Sequence, residues 1–355
     1  MTDTETWDQQ PAPASEPATT AGGPSTALAR LQRHTRLLAL VRQSALLPVI
    51  GVLLIVGSAV SPAFFTVSNF TDVGQQISAL GVVVVAESLV LLTGGMDLSL
   101  QSTYGLAAMI GAWLILPKAL LGQGVELSPY LGMLAALLVG ALIGLINGLM
   151  IVKARLNGFI FTLAMLILLA GLQTGIVSGQ SLYNLPNAFT YIGSAYLWGV
   201  PVSLYAAAAI FVAAGLFLRY HRTGRAIYAI GGNAEAARAA GIKVDRIRIG
   251  VYVVAGILAA FGGLMEAGRL VTVTASQGNN LIFAVFAAAV IGGISLQGGR
   301  GNMLGAASGV VLLGLVQNVL VLDQVQTYWI DAVFGGVIVV ALVLSRVIGG
   351  EEAAR

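Results

Sequence analysis

The chain has 355 residues, of which 57% are apolar and only 9% charged, with 45 glycines and a net charge of +3. A soluble domain carries about 25% charged residues, so a large water-soluble enzyme is excluded and a series of membrane spans is indicated. Cysteine is absent, which rules out disulfides, thiolate metal sites and cysteine nucleophiles. The basic residues lie in short loops beside apolar runs, which marks membrane orientation and not a phosphate-binding face.

Residues 1 to about 29 are rich in Pro, Ala, Thr and acids and contain no basic residue. A secretory signal needs a positive start and an apolar core, so this stretch is expected to be a disordered tail. Residues 30–43, RLQRHTRLLALVRQ, interleave Leu31, Leu37, Leu38 and Val41 with four arginines. They read as a short interfacial helix on anionic lipid, or as a linker.

Apolar segments then recur at roughly 45–61, 73–93, 98–116, 131–152, 159–178, 200–218, 249–268, 282–294, 303–321 and 328–346. Most approach the ~20 residues that cross ~30 Å of hydrocarbon; the eighth is short, and the second and third are nearly continuous. The expected fold class is an all-α membrane protein of about ten transmembrane helices with both termini cytoplasmic. Its parts would be a cytoplasmic tail over 1–43, a transmembrane domain over 44–347 and a short cytoplasmic tail over 348–355. With the N-terminus inside, only Lys118 and Arg269 of the 18 Lys and Arg fall outside. Such an excess of inner positive charge supports the topology.

Small residues recur four apart at Gly140, Gly144 and Gly148, and again at Gly301, Gly305 and Gly309. Lipid gives helices no hydrophobic reason to associate, so close approach at small residues contributes much of their packing. The ladders read as tight helix contacts within one subunit, or as the lining of a narrow path. Polar residues in or at the ends of spans are few: Glu87, Gln101, Asn147, Gln173, Glu266, Gln317, Asn318 and Asp331. Intramembrane charge is functional by default, although each could equally bond a neighbouring helix or sit near the interface. Amides and hydroxyls suit an uncharged polar solute better than an ion.

Two breaks echo each other: LLTGGMDLSLQS at 91–102 and VIGGISLQGGRGN at 290–302. Each ends a span in Gly-Gly and restarts with residues able to cap a helix; a duplicated unit is conceivable. Neither is a phosphate-binding loop, because no G-x-x-x-x-G-K-[ST] occurs.

The segment RYHRTGRAIYAIGGNAEAARAAGIKVDRIRIG at 219–250 is the longest basic loop. Asn233 can cap a short helix, AEAARAA (234–240), with Glu235 in its first turn and Arg238 further along, as the helix dipole favours. Gly241 then stands where a left-handed residue ends a helix. So short a helix is marginal in water and must dock, either on the protein's own underside or on a separate cytoplasmic subunit.

Taken with ALGVVVVAESLVLLTGGMDLS (79–99), GLINGLMIVKARLNGFIFTLA (144–164) and VIGGISLQGGRGNMLGA (290–306), this loop resembles the permease subunits of bacterial ATP-binding-cassette importers of the ribose/xylose/galactose-type branch. The likeness runs from about residue 45 to 347. It implies a chemically inert subunit of an ATP-driven importer in the cytoplasmic membrane that carries a small neutral polar solute, a monosaccharide above all. Implied partners are two cytoplasmic ATPase subunits, a second identical or related permease, and an extracytoplasmic solute-binding protein; nucleic acid is not among them. The short cytoplasmic helix between spans six and seven would be the coupling helix, with Gly232, Asn233, Glu235, Ala236, Arg238 and Gly241 as coupling positions. Glu87, Gln101, Asn147, Gln173, Gln317 and Asn318 are candidates for the translocation path. The binding protein would meet outer loops near 62–72, 117–130, 179–199 and 269–281. The chain departs from the resemblance at Gln101, where glycine is usual, at Ile282 and Ala284, where acids are common, and in lacking a proline near Asn157 and Gly158.

Two other classes compete. An ion-driven secondary transporter would want paired intramembrane acids or unwound carbonyls at mid-membrane. A membrane enzyme would want a metal or a base, yet the two histidines, His34 and His221, sit beside arginines outside the spans. No metal or cofactor is expected.

Overall fold

In a computed structural model, the described residues are 46–326, 328–330, 332–336 and 339. The tail over 1–43 with its basic segment and His34, Asp331, most of the tenth expected span and residues 348–355 lie outside them.

The described residues form helices α1 (Leu46–Val60), α2 (Val67–Leu92), α3 (Leu100–Ile115), α4 (Pro129–Val152), α5 (Gly158–Ile176), α6 (Asn187–Ser194), α7 (Val202–Tyr220), α8 (Arg222–Gly232), α9 (Ala234–Ala239), α10 (Val244–Leu270), α11 (Leu281–Ile291) and α12 (Met303–Leu322). A two-residue hairpin, β1 (Tyr196–Leu197) and β2 (Val200–Pro201), precedes α7. Six helices (α2, α4, α5, α7, α10 and α12) are long and apolar enough to cross a membrane, while α1, α3 and α11 are apolar but shorter.

At the centre stands α2, whose residues Gly81 to Thr93 are all buried. Four consecutive valines, Val82–Val85, would favour a strand in water. In a membrane the backbone must satisfy itself, which makes helix the solution, and a helix apolar all round belongs inside a bundle. Thr66 caps α2 by accepting from the Asn69 amide, so the helix begins inside the stretch 62–72 that the sequence reads as an outer loop.

In α4 the packing of a soluble helix is reversed. Its buried face is Gly132, Ala136, Gly140, Ile143, Gly144, Asn147 and Gly148, while Leu134, Leu138, Leu142 and Leu145 face outward. The glycines meet α10: a Cβ on Gly140 would press on the Gly256 carbonyl, one on Gly144 on the Tyr252 carbonyl, and one on Gly256 on the Gly140 carbonyl. The second ladder works likewise, with Gly305 against the Gly292 carbonyl and Gly309 against that of Ala288. Both ladders are therefore contacts within one chain.

The shortness of the eighth expected span, which the structure shows as α11, has a physical cause. After α10 the chain does not turn straight back: residues 272–280 run as non-helical backbone among α3, α5 and α10 before α11 starts beside Gln101. Gln173 Nε2 donates to the carbonyls of Thr274, Ala275 and Gln277 at 3.3, 3.2 and 3.1 Å. Gln277 Nε2 donates to the Gly263 carbonyl at 3.0 Å, and the Ile282 amide donates to Gln101 Oε1 at 3.3 Å. Irregular backbone survives at membrane depth only when protein satisfies it, and these amides do so. Only 11 helical residues remain for α11, about 16 Å at the usual helical rise.

Candidate functional site

The end of the bundle where α2, α4 and α7 finish and α5, α10 and α12 begin carries most of the basic side chains and three linked features. The first is the segment between α7 and α10. It contains two helices, whereas the sequence suggests only the second. α8, capped by His221 Nδ1 accepting from the Thr223 amide at 3.2 Å, buries Gly224, Ile227 and Ile230. Asn233 Oδ1 then accepts from the Glu235 and Ala236 amides, both at 2.9 Å, and starts α9. Gly241, at φ +81°, closes it in the left-handed conformation that glycine tolerates.

Only Ala237 of α9 is buried, against Ile230 and Val244; Gly232, Asn233, Glu235, Ala236, Arg238 and Gly241 are all exposed. The helix thus docks on its own chain by one face and presents another to solvent. Arg238 pairs with Asp245 in the first turn of α10 at 2.5 Å, and Asp245 also meets Lys153 at the end of α4 at 3.5 Å. Exposed pairs of this kind are worth at most about 1 kcal/mol.

The second feature is the junction of the two Gly-Gly breaks, which pack on one another. The Gly299 amide donates to the Leu92 carbonyl at 3.0 Å, and a Cβ on Gly298 would lie 2.8 Å from the Gly94 nitrogen. Gly231, near the end of α8, completes the contact: a Cβ there would strike the Leu92 carbonyl and the Gly299 amide. Gly94, Gly298 and Gly299 all have positive φ, which favours glycine, and at Gly298 and Gly299 close backbone approach requires it as well. Tyr228 of α8 adds a hydrogen bond from its hydroxyl to the Gly301 carbonyl at 2.9 Å.

The third is a buried polar network behind that junction. Asp97 accepts from the Ser99 amide at 3.0 Å and hydroxyl at 2.6 Å, and from Asn147 Nδ2 at 3.1 Å. Asn147 Nδ2 also reaches Ser99 Oγ at 2.7 Å, and the Asp97 amide donates to Glu87 Oε1 at 3.3 Å. Glu87, Asp97, Ser99 and Asn147 are fully buried. Beside them opens a cavity of about 330 Å³ bordered by Thr93, Gly94, Met96, Asn157, Arg248 and Tyr252. Arg248 spans its edge, donating from Nη2 to the Thr93 carbonyl at 3.0 Å.

Burial pushes the Asp97 carboxyl up from 3.8 to about 6, against the pull of its bonds from Ser99 and Asn147. A carboxyl raised by folding favours the native state most below its unfolded value, and that contribution is lost as pH rises through the folded one. Thermal unfolding should therefore show the protein more stable near pH 4.5 than near pH 7.5 as far as Asp97 is concerned. Asp97→Asn should narrow that difference, and an identical pH profile in the variant would refute the assignment.

The candidate path residues fall into three places. Glu87 and Asn147 meet at the Asp97 network; Gln101 and Gln173 hold the backbone of 274–282. Asn318 lies toward the opposite end, exchanging reciprocal bonds with Asn69 at 2.7 and 3.0 Å, next to the partly buried Gln317. Glu266 is paired with Arg269 at 2.6 Å near the end of α10. Sequence reasoning passes over Asp97, although it stands in the GGMDLS break, and over Arg248, Tyr252 and Asn69. A charge between two apolar runs is the available signal for Asp97. Asn69 has none, since its partner is 249 residues away.

Residues 69–342 match the family described as "Branched-chain amino acid transport system / permease component". Among similar proteins is the ribose import permease of Escherichia coli (strain K12), 35% identical over 311 residues, 86% of this chain and 94% of that protein. The L-arabinose ABC transporter permease of Azospirillum brasilense is 30% identical over 333 residues, 94% of this chain and 96% of the other. The galactose/methyl galactoside import permease of Haemophilus influenzae is 30% identical over 324 residues, 86% and 94% of the two. No solved structure matches the chain.

Proposed function

We propose, from the premise that this chain belongs to the family of branched-chain amino acid transport system permease components, that it is the membrane-spanning subunit of an ATP-driven importer of monosaccharides. A permease component of the cytoplasmic membrane makes and breaks no bonds, so the chain is not an enzyme, and nucleotide hydrolysis belongs to a separate subunit. The sugar reading rests on relatives named for ribose, arabinose and galactose. The family's description names amino acids instead, which keeps a non-sugar solute as the second reading.

The observation that carries the mechanism is the two-faced α9. Its inner face is anchored by Ala237 and its start is capped by Asn233, while Glu235 and Ala236 are exposed and Arg238 is exposed but paired with Asp245. In this reading both termini are cytoplasmic, ten spans cross the membrane, and the α8–α9 unit projects on the inner side. A pair of ATPase subunits would grip the free face of α9 through Gly232, Asn233, Glu235, Ala236, Arg238 and Gly241. Two permeases, identical or related, would stand side by side. A solute-binding protein would meet the opposite end near 117–130, 179–199 and the exposed Leu270 and Val271, since 272–280 turns inward. The sugar would pass near the polar groups Glu87 and Asn147 toward the Thr93–Met96 cavity, while Gln101 and Gln173 keep the 274–282 backbone satisfied and Gln317 and Asn318 stand toward the entry side.

The test is reconstitution in liposomes with radiolabelled ribose, arabinose, galactose and leucine. Accumulation of a sugar that needs the ATPase, ATP and the binding protein is the expected result. Accumulation by this chain alone, collapsing with an ionophore and indifferent to ATP, would instead make it a secondary transporter. Leucine uptake without sugar uptake would move it to amino acids.

A further inference from the structure

Among the contacts of the α8–α9 unit with the membrane part, two lead to the end of α2 and the five residues that follow it, and Tyr228 steadies the first through its bond to the Gly301 carbonyl. Through the glycine junction, Gly231 of α8 lies on the Leu92 carbonyl and on the Gly299 amide, which itself donates to that carbonyl. Through the charged route, Arg238 of α9 pairs with Asp245, and Arg248 on the next turn of α10 donates to the Thr93 carbonyl. Leu92 is the last residue of α2 and Thr93 the first of the break Thr93–Asp97, which closes one side of the cavity and whose Asp97 is tied to Asn147 of α4.

The contacts on the first route are backbone against backbone, with no side chain to flex. A displacement of α8 therefore has to be passed on or broken, since close-packed interiors transmit strain. The second route ends in a charge-assisted hydrogen bond whose acceptor is a backbone carbonyl at the end of α2. Thr93 and Gly94 need not slide as a continuous helix, because Gly94 at φ +75° and the non-helical stretch to Ser99 form a hinge of the usual kind, a few residues at the end of an element.

We propose that Thr93–Asp97 is the segment that the coupling unit moves to open and close the cavity, and that Gly231 and Arg248 are the positioning residues that carry the movement to it. This rests on the reading of α9 as the face gripped by the ATPase. The side-chain hydrogen bond of Arg248 goes to Thr93 and not to α8 or α9, so its loss reads the end of the second route.

The experiment uses the full importer in liposomes and measures sugar accumulated per ATP hydrolysed, with ribose as the probe and arabinose and galactose if ribose is not carried. Arg248→Gln removes the positive charge behind the bond to the Thr93 carbonyl. It should leave the permease bound to its ATPase and ATP hydrolysis within about twofold, while sugar per ATP falls at least tenfold. Arg248→Lys, which can still donate to that carbonyl, should restore most of the ratio. A purely structural role would lower yield, hydrolysis and uptake together and leave the ratio intact, which would overturn the proposal. Should Arg248→Gln give no folded protein, Tyr228→Phe decides: losing the bond to Gly301 should lower the ratio severalfold, and an unchanged ratio counts against the relay. Failure of the underlying reading has its own signature, an Ala236→Trp permease that still binds the ATPase.

Discussion

Replacing Gly144 with leucine should leave almost no folded permease to purify. A Cβ at this position would press on the Tyr252 carbonyl and its carbon, both backbone atoms of α10. Room can be made only by driving apart α4 and α10, which pack along most of their lengths. An added methylene in a core that can shift costs roughly 1–3 kcal/mol; a leucine against fixed backbone exceeds that. Separation forfeits the close backbone packing that holds these helices together, and lipid offers no hydrophobic driving force to replace it. Loss of the reciprocal approach of Gly140 and Gly256 follows from the same displacement. Gly171 and Gly175 of α5 are the controls, since a Cβ on either meets nothing within 4 Å. Alanine there should be neutral or stabilise by about 0.5–1 kcal/mol. Size-exclusion profiles of fluorescent fusions distinguish the cases, and a monodisperse Gly144→Leu peak at wild-type yield would show that the ladder is not a packing surface.

The ladder was legible in the sequence because a repeat of four residues on a helix is a geometric statement that needs no partner to be named. The central position of α2 is not legible in the same way, because an apolar run can face lipid or protein equally well. What escaped depended on contacts between distant segments. The sequence shows that the eighth span is short, but not that residues 272–280 turn inward, because the glutamines that satisfy this backbone stand on α3, α5 and the segment itself. α8 is hidden by its composition, since Arg222, Arg225 and three glycines obscure the spacing of Ile227 and Ile230 that buries it. The echo between the two Gly-Gly breaks suggested a duplication, whereas the structure shows a further meaning: the breaks touch, and glycine is required by the contact. Asn69 and Asn318 are ordinary residues until they are seen to face one another. The coupling positions follow from resemblance and the path candidates from polarity inside apolar runs; geometry adds which of them share a place, grouping Glu87 with Asn147 and setting Gln101 and Gln173 at a stretch of irregular backbone.

Ala236→Trp should abolish transport while leaving the permease itself intact. Ala236 lies in the middle of α9 and is exposed, whereas its neighbour Ala237 is buried against Ile230 and Val244. A substitution on the open face touches none of the contacts that hold the helix down, and surface changes of this sort usually shift stability by no more than about 0.5 kcal/mol. The Asn233 cap, worth about 1 kcal/mol in such positions, remains in place because it bonds the backbone of residue 236 and not its side chain. For a partner the change is large. A groove shaped to a helix that presents Ala236 and Ala239 between Glu235 and Arg238 has no room for an indole at 236, and close-packed interfaces lose affinity when a central position is overfilled. The expected result is an unaltered melting transition for the isolated permease, loss of ATPase co-purification and uptake near background. Ala237→Trp should reverse the order of effects, unfolding α9 and lowering the permease's own melting temperature before any partner is added. An Ala236→Trp permease that co-purified with its ATPase and accumulated sugar at the wild-type rate would mean that the engine grips this protein somewhere other than the free face of α9.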